Sequence, residues 1–260
     1  MLALIAGRGA LPKAIADAQR EPPLICALEG FEPEDLVVDL VFRLETLGTF
    51  LAALHARGVT RVCFCGGIDR PRLRLSRLDL KTLPLVPTFL RALKLGDDGA
   101  LRALIALFEA KGFAVLGADG LLAGLTMAAG VVTRAMPQED HQELPKLGRE
   151  VLQRMGQADL GQACVLRGQD VLAREDVTGT DAMLARFLSG DQGKGAVLFK
   201  APKPNQDRRA DLPTIGPKTA TAAVTAGFDG IILEAGGVIV LDQPKVIETL
   251  NEAGLFLWLV

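Results

Sequence analysis

The chain has 260 residues, of which 49% are hydrophobic and 23% charged, and its formal net charge is −2 at pH 7. This length is enough for one large core or two modest ones, and the small negative charge excludes the basic field that nucleic-acid binding requires, so no nucleic-acid partner is expected. The nearly apolar run Leu121 to Val132 is interrupted by two glycines and is too short to span a bilayer, so we expect a cytoplasmic protein whose membrane contact, where it occurs, is peripheral.

Scarce residue types exclude several enzyme classes. Histidine occurs only at His55 and His141, fewer than zinc or binuclear metallohydrolase sites normally use. Neither serine, Ser76 or Ser189, lies in a GxSxG motif, and the sequence has no GxxxxGK[ST] loop. The four cysteines lack CxxC spacing, and we interpret them as buried, reduced thiols. The chemistry must therefore use Asp, Glu, Lys, Arg and backbone amides.

The N-terminal half alternates strands with helices. A buried strand, Leu2 to Ala6, is followed by a glycine turn and a helix from about Leu11. The later predicted elements are a helix over Leu44 to Arg57, a strand within "VTRVCFCGG", helices over Leu85 to Leu95 and Ala100 to Lys111, and a strand over Phe113 to Leu116. This alternation predicts an α/β fold with a Rossmann-like, mostly parallel sheet.

A Gly/Ala-rich stretch near Ala128 to Gly130 predicts a domain boundary, which divides the chain into residues 1–128 and 129–260. The second half is predicted to be another α/β domain. Its predicted elements are helix His141–Gln157, hairpin Ala163–Arg174, helix Thr180–Leu188, strand Gly195–Lys200, helix Pro217–Ala226, strand Gly230–Glu234, helix Pro244–Ala253 and strand Leu255–Val260. The apolar tail "LFLWLV" is better explained as a central parallel strand than as an acyl-chain pocket.

Two glycine-containing turns follow strands of the predicted first sheet. "AGRGALP" has Gly7 and Gly9 between a strand and a helix, where glycine lets the backbone approach a phosphate and free helix N–H groups favour an anion. "CGGIDRPRL" has Gly66 and Gly67 after another clear strand, with Arg70 available for phosphate charge. Tight turns and solvated arginines explain the same residues, but two such turns at one sheet edge favour a nucleotide ligand.

Two further motifs place acids at helix starts. In "LKLGDDGAL", Asp97 and Asp98 either cap a helix or supply carboxylate oxygens to a hard cation. "EDVTGTDAML" precedes a helix whose N-cap we assign to Thr180. The polar residues of this second motif are Glu175, Thr178, Thr180 and Asp181.

The segment "VLFKAPKPNQDRRADLPTIGP" concentrates charge after a buried strand. Lys200 and Lys203 are candidates for holding a phosphate, and Asp207 and Asp211 are the best candidate acids. Prolines exclude regular structure across the segment, and the helix that begins at Pro217 would direct its positive end to the same place. Carboxylates for a metal beside cations for phosphate indicate phosphoryl chemistry; the alternative is a salt-bridged surface loop.

Several motifs occur in a fixed order along nearly the whole chain: "IAGRGALP", "GGIDRPRL", "LKLGDDGALRAL", "GTDAML" and "KPNQDRRADLPTIGPKT". The ordered set resembles the UDP-2,3-diacylglucosamine pyrophosphatases of lipid A biosynthesis, in the family found where the metallophosphoesterase form is missing. The resemblance implies Mg²⁺-dependent hydrolysis of UDP-2,3-diacylglucosamine to UMP and 2,3-diacylglucosamine 1-phosphate (lipid X), with water attacking the β-phosphorus. It also implies a UDP-binding N-terminal domain, a C-terminal domain for the acylated sugar phosphate, and peripheral contact with the cytoplasmic face of the inner membrane.

The resemblance and the local chemistry together give a set of predicted site residues. Asp211 matches the position expected to be essential in the family, and Asp207 is predicted to support it in catalysis. The predicted Mg²⁺ ligands are Asp97, Asp98 and Asp211. The predicted substrate-binding residues are Gly7, Arg8, Gly9, Ala10, Gly66, Gly67, Ile68, Arg70, Thr178, Thr180, Asp181, Lys200, Lys203, Gln206 and Arg208. The expected partner is a lipid-linked nucleotide sugar, and homo-oligomerisation is left open.

Two other functions compete with this hypothesis. A Rossmann oxidoreductase would use Glu29, about 20 residues after the glycine turn, but the third glycine of its fingerprint is replaced by Pro12. A non-catalytic carrier or sensor of lipid X would bind the lipid without turnover. Release of UMP from the nucleotide sugar distinguishes the three.

Overall fold

The computed structural model describes residues 1–68, 74–87, 96–158, 160–189, 192–203, 207–209 and 212–260. The side chains of Leu75, Asp97 and Asp98 lie outside that description. By their internal contacts the residues divide into two compact units: unit 1 is Met1–Ala123 with Asp207–Asp211, and unit 2 is Gly124–Gln206 with Leu212–Val260. The predicted division at residue 128, with one part of the substrate assigned to each side, stays a prediction. Within the described ranges, no helix combines the length and apolar character needed to cross a bilayer.

Unit 1 is built on a parallel sheet with the strand order β3-β2-β1-β4-β5. Its strands are β1 (Leu2–Ala6), β2 (Leu24–Leu28), β3 (Leu40–Phe42), β4 (Arg61–Cys65) and β5 (Ala114–Leu116). Every residue of β1 is buried, as expected for a central parallel strand covered on both faces. The order is that of a doubly wound nucleotide-binding fold, which confirms the predicted Rossmann-like class.

Helices cover this sheet and supply aromatic core residues. They are α1 (Leu11–Asp17), α2 (Leu47–Ala56), α3 (Gly96–Ala110) and the single turn α4 (Ala118–Leu121). Phe108 of α3 packs edge-on against Phe64 of β4, with ring centroids 5.2 Å apart. Helix α3 begins at Gly96 rather than at the predicted Ala100, and the predicted helix Leu85–Leu95 lies largely outside the described residues.

Unit 2 contains a mixed sheet of order β6-β13-β11-β9-β7-β8 and a small parallel pair, β10 with β12. Its strands are β6 (Gly130–Val131), β7 (Ala163–Arg167), β8 (Asp170–Arg174), β9 (Val197–Lys200), β10 (Thr214–Ile215), β11 (Gly230–Leu233), β12 (Ile239–Val240) and β13 (Phe256–Leu259). Strands β9, β11 and β13 are mutually parallel, whereas β7 pairs antiparallel with both neighbours. The predicted hairpin is confirmed, and the apolar tail is an interior strand between β11 and β6.

The helices of unit 2 are α5 (Leu144–Gln157), α6 (Gly179–Ala185), α7 (Pro217–Thr225) and α8 (Gln243–Ala253). Helix α5 starts after the predicted His141, because Glu139–His141 form a separate 3-10 turn that the Gln138 and His141 side chains cap reciprocally. The four cysteines are free and buried, as predicted. Burial raises the pKa of Cys26 and of Cys164 to about 12, so neither thiol is activated as a nucleophile.

Helix α5 packs so closely on β9 that Gly148 has no room for a side chain. A Cβ atom there would lie 2.4 Å from ring atoms of Phe199, which is fully buried. A Gly-to-Ala change inside a helix normally stabilises it by up to about 1 kcal/mol. Forcing a methyl into a packed core costs about 1–3 kcal/mol, so the steric cost exceeds the gain at this position.

We therefore expect Gly148→Ala to lower the free energy of unfolding of unit 2 by about 1 kcal/mol or more. The measurement is urea unfolding followed by the fluorescence of Trp258, the single tryptophan, which lies in β13. As the matched control, the same change in a Phe199→Ala background should be neutral or stabilising, because the Cγ and Cδ atoms that the new methyl would meet are gone. Equal effects in both backgrounds would contradict the steric explanation.

Candidate functional site

The two predicted glycine turns meet at the carboxyl edge of the first sheet. Strands β1 and β4 are neighbours, and their ends lead into Gly7 and Gly66. Gly7 N–H donates to the Cys65 carbonyl at 2.8 Å, and Arg8 and Gly67 exchange two backbone hydrogen bonds of 2.9 Å each. Strand order reverses between these two strands, and doubly wound proteins bind ligands at that position. The structure thus brings Gly7 and Arg8 of the first turn next to Gly66 and Gly67 of the second.

Two of their glycines, Gly7 and Gly66, are required by the contact between the turns. A Cβ atom on Gly7 would lie 2.5 Å from the Gly67 carbonyl oxygen, and one on Gly66 would lie 2.7 Å from the Gly7 carbonyl oxygen. Gly66 also has a φ of 87°, which other residues rarely adopt. The close approach of the two backbones is therefore sufficient to explain these glycines without a phosphate.

Arg8 lies in the first of these turns, and its side chain is held at the end of β2. One guanidinium nitrogen, Nη2, donates to the Gly30 carbonyl at 2.8 Å, and the guanidinium carbon lies 5.1 Å from the centre of the Phe31 ring. Ala10 is the N-cap residue of α1, and Ile68 is exposed beyond Gly67. The predicted Arg70 lies outside the described residues.

A segment from the second half of the sequence reaches the same sheet edge. Arg209 donates Nε and Nη2 to the two carboxylate oxygens of Asp207, at 3.0 and 2.8 Å, and Nη1 to Glu109 of α3 at 2.6 Å. These bonds lower the pKa of Asp207 and raise that of Arg209. The backbone at Arg209 passes close to the end of β5. A Cβ atom on Gly117, the residue after that strand, would lie 3.3 Å from the Arg209 Cα.

This arrangement bears on the roles predicted for the segment. Both Asp207 oxygens accept hydrogen bonds from Arg209, so the described part of the segment is salt-bridged, as the alternative interpretation expected. The catalytic role of Asp207 stays a prediction. Arg208 is exposed and Lys203 is half-buried, while Gln206 and the predicted catalytic Asp211 lie outside the described residues.

In unit 2, a buried cluster joins two of the predicted binding residues. Lys200 at the end of β9 is 7% exposed, and its Nζ donates to Thr180 Oγ1 at 2.7 Å. The Thr180 hydroxyl donates in turn to Glu175 Oε1 at 2.7 Å, and Glu175 Oε2 accepts the Gln162 N–H at 2.6 Å. Glu175 was noted in its motif but was not among the predicted site residues.

The predicted N-cap role of Thr180 is wrong. Thr178 occupies the N-cap of α6, and Thr180 lies in the first turn, where its hydroxyl serves Lys200 and Glu175. A buried ammonium and carboxylate gain more from that hydroxyl than exposed helix N–H groups, which water can satisfy.

Thr178 and Asp181 are not part of this buried cluster. Thr178 donates its backbone N–H and its hydroxyl to Asp176, which also accepts a 2.9 Å bond from Arg186. The bonds from Thr178, followed by that from Arg186, lower the pKa of Asp176 to about 2. Asp181 is exposed in the first turn of α6.

The predicted Mg²⁺ site is not tested by these contacts. Asp97 and Asp98 lie in the first turn of α3, but their side chains, like Asp211, fall outside the description. Among the residues that the structure does describe, no three His, Cys, Asp or Glu side chains are grouped closely enough to hold a metal ion.

Sequence comparison covers the chain from end to end. Residues 1–125 match the family model described as the LpxI N-terminal domain, and residues 128–258 match the LpxI C-terminal domain. The chain is 35% identical over 267 aligned residues to the UDP-2,3-diacylglucosamine pyrophosphatase LpxI of Caulobacter vibrioides. That alignment covers 98% of this chain and 95% of the relative.

The junction of the two turns gives a test with an adjacent control. Gly66→Ala should lower the free energy of unfolding of unit 1 by about 2 kcal/mol or more, because it combines a positive φ with a backbone clash. Gly67→Ala should change it by less than about 0.5 kcal/mol, since its Cβ atom would come no closer than 3.9 Å to the Arg8 carbonyl. Urea unfolding followed by circular dichroism measures both. Similar values for the two variants would refute the proposed packing of the turns.

Proposed function

Because the chain belongs to the LpxI family, we propose that it hydrolyses the pyrophosphate bond of UDP-2,3-diacylglucosamine in lipid A synthesis, releasing UMP and 2,3-diacylglucosamine 1-phosphate. Family membership makes the chain a hydrolase, which confirms the predicted enzyme class and removes the basis for the oxidoreductase alternative. The observation that carries the proposal is the match to a named pyrophosphatase over 98% of this chain and 95% of the relative.

The UDP moiety is proposed to bind at the junction of the two turns in unit 1. Support comes from the reversal of strand order between β1 and β4, where doubly wound sheets leave a crevice. The Arg8 guanidinium would face the anionic nucleotide, whereas the N–H groups of Gly7, Arg8 and Gly67 are already used in backbone hydrogen bonds. The segment that contains Asp207 and Arg209 passes close to the end of β5, which is paired with β4 in the same sheet.

The acylated sugar phosphate is proposed to bind in unit 2, with Lys200 as its main cationic contact. Lys200 lies at the carboxyl end of a parallel strand, the edge at which α/β proteins bind ligands. Its ammonium is buried, and a buried charge interacts more strongly with a phosphate than an exposed one does. Lys203 and Arg208 are proposed to add to the neutralisation of the diphosphate.

Hydrolysis of a pyrophosphate needs charge neutralisation and an in-line water more than covalent help. We propose that Asp211 orients the water that attacks the β-phosphorus. Asp207 would contribute indirectly, because its bonds to Arg209 tie the segment before Asp211 to Glu109 of α3.

We propose that the reaction requires Mg²⁺, which would supply additional positive charge to the diphosphate. Asp97, Asp98 and Asp211 would hold it, although Mg²⁺ usually takes only one or two carboxylates and keeps several waters. Asp207 fits such a role poorly, since Arg209 occupies both of its oxygens.

A ³¹P NMR assay with UDP-2,3-diacylglucosamine tests the function directly. UMP and lipid X should appear in the presence of Mg²⁺, and EDTA should abolish their formation. In ¹⁸O-labelled water, the label should enter lipid X rather than UMP, as attack on the β-phosphorus requires. Binding of lipid X with no release of UMP would instead favour the non-catalytic carrier.

Asp211→Ala should abolish nearly all turnover while leaving substrate binding measurable, because the residue is proposed to orient the attacking water or the metal and not to bind the nucleotide. The matched control is Asp35→Ala, which removes an exposed acid from the connection between β2 and β3. Turnover and binding would be measured by the ³¹P assay and by calorimetry. Near-normal activity of Asp211→Ala would remove this residue from the catalytic role.

We also propose that the protein contacts the cytoplasmic face of the inner membrane through the segment Arg74–Pro87, the basic loop. Leu80 and Leu83 of this loop are 84% and 49% exposed, and Arg77 and Lys81 are exposed beside them. An anionic leaflet attracts each basic residue by about 1 kcal/mol, and exposed leucines can enter the headgroup region.

Polar contacts connect this loop to Glu45 and Gly48 and link residues within it. Glu45 Oε1 accepts the Arg74 N–H at 2.8 Å, and Thr82 Oγ1 accepts the Gly48 N–H at 2.8 Å. Asp79 Oδ1 accepts the Thr82 N–H at 2.6 Å, so the acid of the loop turns inward. The loop therefore exposes Leu80 and Leu83 together with the basic side chains of Arg77 and Lys81.

Vesicle flotation provides the test of this surface. The protein should bind vesicles of phosphatidylglycerol and not of phosphatidylcholine, and Arg77→Gln and Lys81→Gln should each weaken binding about fivefold. Leu80→Asp should weaken it strongly, whereas Val37→Asp, at an 86% exposed valine outside the loop, should not. Equal effects of the two Asp substitutions would exclude the loop as the membrane contact.

A further inference from the structure

We propose that Glu175 is a positioning residue for the pyrophosphatase reaction, which acts through the Thr180 hydroxyl to orient the Lys200 ammonium toward the sugar phosphate. This inference rests on the proposed function and assigns a role to a buried acid outside the predicted site. It is carried by the hydrogen-bonded relay from Gln162 through Glu175 and Thr180 to Lys200.

The hydrogen atoms in the relay can be assigned from chemistry alone. A lysine ammonium only donates, so Thr180 Oγ1 must accept in the 2.7 Å contact with Lys200. A threonine hydroxyl has one hydrogen, which leaves it to donate to Glu175 Oε1 at 2.7 Å. An ionised Glu175 only accepts and thereby fixes the direction of the Thr180 hydroxyl. The bond to Thr180 orients one N–H bond of the Lys200 ammonium. Because the nitrogen is tetrahedral, the directions of the other two N–H bonds are then set as well.

The backbone around Glu175 is shaped to hold its carboxylate in place. Gln162 N–H donates to Oε2 at 2.6 Å, and a Cβ atom on Gly161 would lie 2.3 Å from the Glu175 Cγ. Gln162 also accepts the Ala201 N–H with its carbonyl, so the same residue contacts the chain on both sides of β7. The acid at the end of β8 and Lys200 at the end of β9 therefore share one rigid backbone support.

A positioning role for Glu175 and a purely structural role predict different effects of mutation on folding and on substrate binding. A buried charge that loses its partner is strongly destabilising, so a structural pair would affect folding first. A positioning pair would affect substrate binding, because a hydrogen bond to a charged group contributes more than one between neutral groups. Lys200 would contact the phosphate both before and during the reaction, and misplacing it should therefore raise KM more than it lowers kcat.

The test compares kcat and KM for UDP-2,3-diacylglucosamine among single and double variants. Glu175→Gln and Thr180→Val should each raise KM about 10- to 100-fold, the loss expected for a hydrogen bond to a charged group, with a smaller change in kcat. Thr180→Ser, which keeps the hydroxyl, should stay within about threefold of the wild type. In a Lys200→Met background, Glu175→Gln should add less than about threefold, because its effect passes through the missing ammonium.

Two results would overturn the proposal. One is an undiminished effect of Glu175→Gln in the Lys200→Met background. The other is a reduced kcat at unchanged KM in Glu175→Gln and Thr180→Val, because misplacing a group that binds the ground-state phosphate would raise KM. If Glu175→Gln fails to fold, the contrast between Thr180→Val and Thr180→Ser decides the question.

Failure of the proposed function is recognised separately, since the wild type would then release no UMP. In that case, acetylation of Lys200 by acetic anhydride, measured by mass spectrometry against the exposed Lys111, still tests the relay. Glu175→Gln and Thr180→Val should speed labelling of Lys200, and Thr180→Ser should not. Equal labelling in all variants would refute the positioning role.

Discussion

Parallel pairing directs the carboxyl ends of neighbouring strands to one edge of a sheet, and both units of this chain place polar residues at such an edge. In unit 1, Arg8 follows the end of β1, and Arg209, paired with Asp207, lies beside Gly117 at the end of β5. In unit 2, the end of β9 carries Lys200. The strands themselves are apolar and buried, so the edge is the part of each sheet where charge can be placed without desolvating it completely.

The charges at these edges are held by short chains of hydrogen bonds. Arg209 joins Asp207 to Glu109 in unit 1, and Thr180 joins Lys200 to Glu175 in unit 2. Each chain uses a group that bonds in two directions, a guanidinium in one case and a hydroxyl in the other. Side chains held on both sides lose little further freedom when a ligand binds, and such preorganisation favours binding of a highly charged diphosphate.

Much of this fold could be predicted from the sequence. Short apolar runs, which indicate buried strands, alternate with segments whose apolar residues recur at the 3.6-residue period of a helix. Strands β2 (Leu24–Leu28) and β3 (Leu40–Phe42) were not among the predicted elements. The two-residue strands Gly130–Val131, Thr214–Ile215 and Ile239–Val240 were also missed, since they are too short to show a period. The glycine turns were correctly placed at one edge, but the steric reason for Gly7 and Gly66 depends on the distance between two loops and needed coordinates.

Side-chain partners were the least predictable feature of the candidate site. Thr180 has the chemistry of an N-cap, but a lysine 20 residues further along the chain takes its hydroxyl. Arg209 and Glu109 are 100 residues apart, and no local pattern connects them. The motif with Glu175, Thr180 and Asp181 is recognisably polar, but only the coordinates show that Glu175 is buried, that Thr180 bonds Lys200 and that Asp181 is exposed.

Unit 1 is not a single continuous stretch of chain, because it includes Asp207–Asp211. The family models split the sequence once, between residues 125 and 128, but a gene fragment that ends there encodes Glu109 without Arg209. Such a fragment would lack the peptide Asp207–Asp211, whose Arg209 lies beside Gly117 at the end of β5. Dissection of this protein into separately expressed halves therefore removes the Arg209–Glu109 contact unless that short peptide is grafted back or supplied in trans.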